Sequence, residues 1–216
     1  MELTAAASWL NTVFASFDLS VAQGVHVLYE ALPWLFTPLL SFVTLLASPA
    51  GSICISLFLA LWPRTRRFGM AMLMGIIVGA LMTNVVLKPL VLRPRPYSWD
   101  GSVYQEYWHL LGEHMESDYS FPSGHTTAAF AMAWGVTASR DKRKIWVAFI
   151  LAFLIALSRI YLSVHYATDV LVGLILGTIG GNCGVFLSRK LPEAVYTYGL
   201  PLPKSLGNGG GKHLRK

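Results

Sequence analysis

Apolar residues in this chain run in long unbroken blocks, not in the alternating or one-sided patterns of a soluble fold. The blocks at 31–48, 50–62, 68–92, 121–139, 145–164 and 166–187 predict six spanning helices, since a helix needs about 20 apolar residues to cross a bilayer. The block 50–62 is short and is counted because the topology fails without it. A transmembrane β-barrel would instead show segments of about 10 residues with alternating polarity. The predicted fold class is therefore all-α, a polytopic six-transmembrane-helix bundle over residues 31–190. Residues 1–30 mix apolar side chains with Asp18, His26 and Glu30, which predicts an amphipathic segment lying on the membrane surface. Residues 191–216 form a tail, and its glycine-rich basic end, 207–216, predicts disorder.

Composition sharpens this picture. Apolar residues make up 54% of the 216, charged residues only 13%, and the mean hydropathy is +0.52; a soluble globule is less hydrophobic. The net charge of +6 raises the question of a nucleic-acid partner. The placement of the basic residues answers it: no nucleic acid is expected, because they lie where membrane topology puts them. All 17 Lys and Arg except Lys88, Arg93, Arg95 and Arg159 fall in the segments around 63–67 and 139–144 or from residue 189 to the C-terminal end. The positive-inside rule makes that side cytoplasmic, with both termini on it and the loop 93–120 outside. The chain is thus expected in the cytoplasmic membrane. Cys54 and Cys183 lie inside apolar blocks without a spacing motif and read as small packing residues. Glu2 and the absence of a basic start argue against a cleaved signal peptide.

What remains is a set of ionisable and hydroxyl residues at the ends of the apolar blocks, where they are costly and mark function. They form three groups: Lys88 with Arg95-Pro96, Pro122-Ser123-Gly124-His125, and Ser158-Arg159 with His165 and Asp169. His165 and Asp169 are four apart at the start of the last helix, which puts them on one face. Asp169 can accept a proton from one imidazole nitrogen and leave the other as an outward lone pair. Arg159 is brought back toward His165 by a short turn, and Ser158 is placed to help orient the groups there. Guanidinium forks and an ammonium match phosphate oxygens, so Lys88, Arg95 and Arg159 read as anion-binding, while Arg93 reads as a base snorkelling to the interface. Pro122 and Ser123 open the fourth helix, whose free amides and dipole favour an anion. Gly124 allows close approach there, and His125 faces the anion. The outer loop carries Asp100, Glu106, Glu113, Glu116 and Asp118 among Tyr97, Trp99, Tyr104, Tyr107, Trp108 and Tyr119. It reads either as an interfacial aromatic belt with an acidic rim or as a lid over a lipid substrate.

Together, K-x6-R-P at 88–96, P-S-G-H at 122–125 and S-R-x5-H-x3-D at 158–169 resemble the three-part signature of the type-2 phosphatidic acid phosphatase superfamily. The resemblance implies a metal-free lipid phosphatase without cofactor. His165 would be the nucleophile forming a phosphohistidine, Asp169 its partner, and His125 the acid that later activates water. Lys88, Arg95, Ser123, Gly124 and Arg159 would hold the phosphoryl oxygens. Its partners would be membrane lipids and a lipid phosphate: undecaprenyl diphosphate, phosphatidylglycerophosphate or phosphatidic acid. Vanadium haloperoxidases share the signature but are soluble, and the predicted spans argue against that activity. A phosphotransferase using the same site and a non-catalytic lipid or anion transporter are the competing functions.

Overall fold

A computed structural model describes residues 2–197, and the expectation for the tail end at 207–216 lies outside them. Among the described residues the chain is helical, with no strand. Two helices, α1 (Ala5–Val13) and α2 (Ala15–Ala31), precede α3 (Pro33–Leu45) and α4 (Pro49–Leu61). Next come α5 (Arg66–Ala80), a π-helical stretch (Leu81–Leu87) that continues it, and the single turn α6 (Lys88–Val91). The outer loop holds α7 (Val103–Leu110); then follow α8 (Gly124–Val136), α9 (Lys142–Tyr161), α10 (Ala167–Ser188) and α11 (Glu193–Thr197).

The six apolar blocks are all helical, but they are not six equal spans. By length and composition three helical runs could cross a membrane among the described residues: Arg66–Ser98, Lys142–Tyr161 and Ala167–Ser188. The pair α3 and α4 is bent by 61° at the break and qualifies only as one broken span or a re-entrant loop. The short second block is therefore the far limb of a bend, held by Pro49 and by Ser48, whose hydroxyl accepts from the Gly51 amide at 3.0 Å. Helix α8 is 13 residues long, extended by the 3-10 turn Thr137–Ser139. It is the central helix, packed by α5, α9 and α10, and its Ala129, Phe130, Ala131 and Ala133 are buried.

Small residues let these helices approach closely. A Cβ on Gly75 of α5 would lie 3.1 Å from the Gly181 Cα of α10, and one on Gly180 would lie 2.8 Å from the Gly75 carbonyl oxygen. Without a hydrophobic drive between helices in lipid, such backbone proximity supplies the packing energy. The outward surface is apolar, with Phe42, Phe58, Ile77, Leu90, Trp146, Phe153 and Phe186 exposed. Cys54 is exposed as well, so it is not the packing residue its position suggested.

Helix α1 buries Ala7 and Leu10, whereas α2 buries Asp18 and His26 against the rest of the protein and leaves Phe17 and Val27 facing outward. His26 stacks on Tyr107 of α7 with ring centroids 3.6 Å apart. The aromatic loop is likewise only partly a belt: Trp99 and Tyr119 are exposed, but Tyr97 and Trp108 stack at 4.7 Å within an apolar cluster containing Leu40, Leu111 and Leu162.

Candidate active site

The three sequence groups converge on a cavity of about 360 Å³ beside the start of α8. Lys88, Arg95, Gly124, His125 and His165 line it, with Thr83, Asn84, Glu116, Ser117 and Asp118. Its remaining wall is mostly apolar, formed by Ala47, Pro49, Ile53, Ile76 and Ala80 with Ser52 and Thr127.

Each group is placed by local structure. Ser123 is the N-cap of α8 and its hydroxyl accepts from the Thr126 amide at 3.4 Å. The helix thus begins at Gly124, with Pro122 standing before the cap instead of in the first turn. The Ser123 amide donates to the Asp169 carbonyl at 3.1 Å, which ties the start of α8 to the start of α10. Its hydroxyl also pairs with Thr126 Oγ1 at 2.9 Å, so this side chain is buried beneath the cavity while Gly124 lines it. Ser158 lies outside the cavity too, its hydroxyl donating to the Ile155 carbonyl at 2.6 Å within α9.

His165 precedes α10, whose N-cap is Tyr166, instead of lying inside the helix. Its amide donates to the Arg159 carbonyl at 3.2 Å, the turn that brings the two residues together. Arg95 Nη1 lies 3.0 Å from His165 Nε2 and donates to the Val164 carbonyl at 2.8 Å. A guanidinium only donates, so Nε2 is the acceptor and the ring proton resides on Nδ1. That Nδ1 faces Asp169 Oδ2 at 3.5 Å and has no hydrogen-bond partner. Burial first, then the positive charge of Arg95, Arg159 and Lys88, holds the His165 imidazolium well below the usual histidine range. The ring is therefore neutral, and its Nε2 lone pair accepts from Arg95 at the wall of the cavity.

Each expected anion-binding cation already meets a carboxylate from the outer loop. Asp118 accepts from both Lys88 and Arg95, and Glu116 accepts from Arg159. Arg159 also donates to Thr44 Oγ1 of α3 at 2.8 Å, and its Nε is buried without a partner. Burial raises the Asp118 carboxyl, but Lys88 and Arg95 outweigh it and hold the group below the usual carboxylate range. The Asp118 side chain remains 47% exposed. The sequence pointed to these acids only as a rim or lid.

Arg93 departs most from its expected place. It is 1% exposed and does not snorkel. Its Nη1 donates to Asp169 Oδ1 at 2.6 Å, its Nη2 to Asp18 Oδ2 at 2.9 Å, and its Nε to Asn11 Oδ1 at 2.8 Å. A buried guanidinium is tolerated because two buried carboxylates neutralise it and its donors are satisfied. Asp169 Oδ2 takes the Ser120 hydroxyl and the Tyr166 amide, the latter at 3.0 Å. Asp169 is thus held from three sides. Asp18, Arg93 and Ser120 were missed as site residues. The only sequence signal was that Asp18 and Arg93 are ionisable residues next to apolar blocks.

The described residues contain no group of three or more His, Cys, Asp or Glu arranged to hold a metal ion.

Known proteins carry the same arrangement of helices. The chain aligns with an undecaprenyl-diphosphatase of Sulfolobus acidocaldarius at 29% identity, over 58% of each chain. It aligns with phosphatidylglycerophosphatase B of Bacillus subtilis at 35% identity, over 45% of this chain and 47% of that one. The crystal structure of the transmembrane PAP2-type phosphatidylglycerolphosphate phosphatase from Bacillus subtilis superposes with a TM-score of 0.64 at 24% identity. It covers 87% of this chain and 92% of that one, and at this identity it establishes the fold. The chain spans between 47% and 65% of the length of the first three curated relatives it matches. Residues 64–190, which carry all three groups of site residues, match the PAP2 superfamily, and the chain is a member of it.

Proposed function

We propose that this protein is a metal-independent membrane lipid phosphatase that acts through a phosphohistidine on His165. The observation that carries this reading is the neutral His165 Nε2 at the wall of a cavity it shares with His125, Lys88 and Arg95. In the first step Arg95 turns from Nε2 to a phosphoryl oxygen, the freed Nε2 attacks phosphorus as the bond to the leaving oxygen breaks, and protonated His125 gives that oxygen its proton. In the second, water attacks the phosphoryl group, the P–N bond breaks, and His125 takes the water's proton. Asp169 closes on Nδ1–H as positive charge develops on the ring, a contraction of about 0.5 Å to ordinary hydrogen-bond length.

Lys88, Arg95 and Arg159 hold the phosphoryl oxygens together with the first-turn amides of α8 at Gly124, which Ser123 caps. The Asp118 and Glu116 carboxylates stand where phosphoryl oxygens would bind, and substrate displaces them. The loop at 97–120 is then a lid whose acids compete with substrate. The apolar wall at Ile53, Ile76 and Ala80 supports an amphiphilic substrate whose hydrocarbon leaves toward lipid. Undecaprenyl diphosphate, phosphatidylglycerophosphate and phosphatidic acid all fit that description, and the relatives named for the first two favour them. In this reading the site faces the outside of the cytoplasmic membrane, which the distribution of basic residues supports.

The test is phosphate release from a panel of these three lipids by the purified chain and by His165→Ala. Turnover that survives in the variant overturns the mechanism. Transport of lipid phosphate without release would return a non-catalytic transporter, and appearance of phosphate on an added acceptor a phosphotransferase.

A further inference from the structure

Asp18 lies far outside residues 64–190, which carry the family match, yet it is 1% exposed and reaches the base of the candidate site. Its Oδ1 accepts from the Thr168 amide at 2.8 Å, in the first turn of α10. Its Oδ2 accepts from the Thr168 hydroxyl at 2.9 Å and from Arg93 Nη2 at 2.9 Å. The same Thr168 hydroxyl also receives Arg93 Nη1 at 2.8 Å, and that nitrogen donates to Asp169 Oδ1 as well. Two residues 150 apart in the chain thus share one hydrogen-bonded ring. Asn11 of α1 fixes the guanidinium from its third side through Nε.

A buried Asp–Arg pair is often only structural, and such pairs contribute little net stability. This one differs in where the guanidinium points. Arg93 is shared between two carboxylates, and how strongly it pulls on one depends on the other. With Asp18 present, Arg93 stays between them and Asp169 Oδ2 remains 3.5 Å from His165 Nδ1. With the Asp18 charge removed, Arg93 turns wholly to Asp169 and draws it away from the imidazole. The negative charge of Asp18 also sits at the positive end of the α10 dipole, on Thr168, the residue before Asp169.

We propose that Asp18, supplied by the N-terminal helix α2, is a positioning residue for the His165–Asp169 pair, acting through Arg93. This makes the N-terminal helices a working part of the site. The inference rests on the reading of His165 and Asp169 as nucleophile and partner.

The experiment uses the full chain in dodecyl maltoside micelles, labelled with ¹⁵N-histidine, His165 being assigned by comparison with His165→Gln. In the unmodified protein His165 shows the Nδ1–H tautomer. Asp18→Asn, which retains the acceptor for the Thr168 amide, shifts His165 away from that tautomer. Asp169→Asn does the same, and the double variant goes no further. With didodecanoyl phosphatidic acid or farnesyl diphosphate as probe, Asp18→Asn lowers kcat on the order of tenfold with KM within about twofold. That loss disappears in the Asp169→Asn background. Asn11→Ala, a milder change to the same guanidinium, moves both readouts in the same direction and decides the matter if Asp18→Asn does not fold. An unchanged tautomer and kcat in Asp18→Asn and Asn11→Ala overturns the proposal, and so do kinetic losses that add to those of Asp169→Asn. If Asp169→Asn itself changes neither readout, the histidine–carboxylate reading fails instead.

Discussion

Arg93 and Arg95 are two residues apart, and they stand in opposite electrostatic settings. Arg95 faces a cavity and pairs with Asp118, whose side chain is 47% exposed and belongs to a loop. Arg93 is 1% exposed and pairs with Asp18 and Asp169, both buried in helices. The first pairing is exchangeable: a phosphate can replace a half-exposed carboxylate without leaving a charge stranded. The second is not, because removing either partner strands a charge in an apolar surrounding. One short segment thus carries a buried, fixed ion pairing on one side and a half-exposed one, beside the cavity, on the other.

The largest effect should come from removing the proposed nucleophile between these two regions. His165→Ala should lower phosphate release by on the order of 10³ or more, while vanadate binding and the melting temperature stay near those of the unmodified chain. Retention of more than about a tenth of the activity would place the chemistry elsewhere.

The two arginines should then fail in different ways. Arg93→Ala should cost about 3–5 kcal/mol of stability, as breaking buried pairs does, seen as a lowered melting temperature in micelles. Arg95→Ala should leave melting nearly unchanged and raise KM about 30-fold, for a loss of about 2 kcal/mol. If both variants behave alike, the division drawn between the two regions is wrong.

A smaller change, in the opposite direction, should follow from the lid acids. Asp118→Asn and Glu116→Gln remove the carboxylates that occupy the cations, so vanadate should bind several-fold more tightly to each. Weaker binding would mean that these acids help hold the anion instead of competing with it. Protonating Asp118 releases its clamp only at acid pH, because Lys88 and Arg95 hold its carboxyl below the usual range. The competition should therefore be constant from about pH 5 upward, a window above the ordinary carboxylate value. His165 is likewise depressed, so its protonation should cut kcat/KM only below the usual histidine value near 6.5. An acid limb at or above that value would remove the electrostatic account of the nucleophile. Chelation with EDTA should change turnover least of all, since helix amides and three cations supply the charge stabilisation. Activity lost to EDTA and restored by Mg²⁺ would sink the metal-free mechanism.

By itself the sequence determined the material of this protein. Apolar blocks too long for a soluble helix dictate membrane burial, and ionisable residues at their ends can persist only where they are partnered or used. Lys88, Arg95, Gly124, His125 and His165 were legible for that reason, and they do share one cavity. The start of α8 was readable to three residues, at 121 against the observed Gly124, because capping is a local matter. What the tertiary structure alone decided is which charge meets which. Nothing in 88–96 says that Arg93 is locked inward while Arg95 faces the cavity, because both obey the same local rules. Their partners come from 75 residues upstream for Asp18 and 23 downstream for Asp118. The bend between α3 and α4, and the burial of Asp18 and His26 in α2, were hidden in the same way. Hydrophobic periodicity records how much apolar surface a segment carries, whereas the burial of a charge depends on the distant groups that neutralise it.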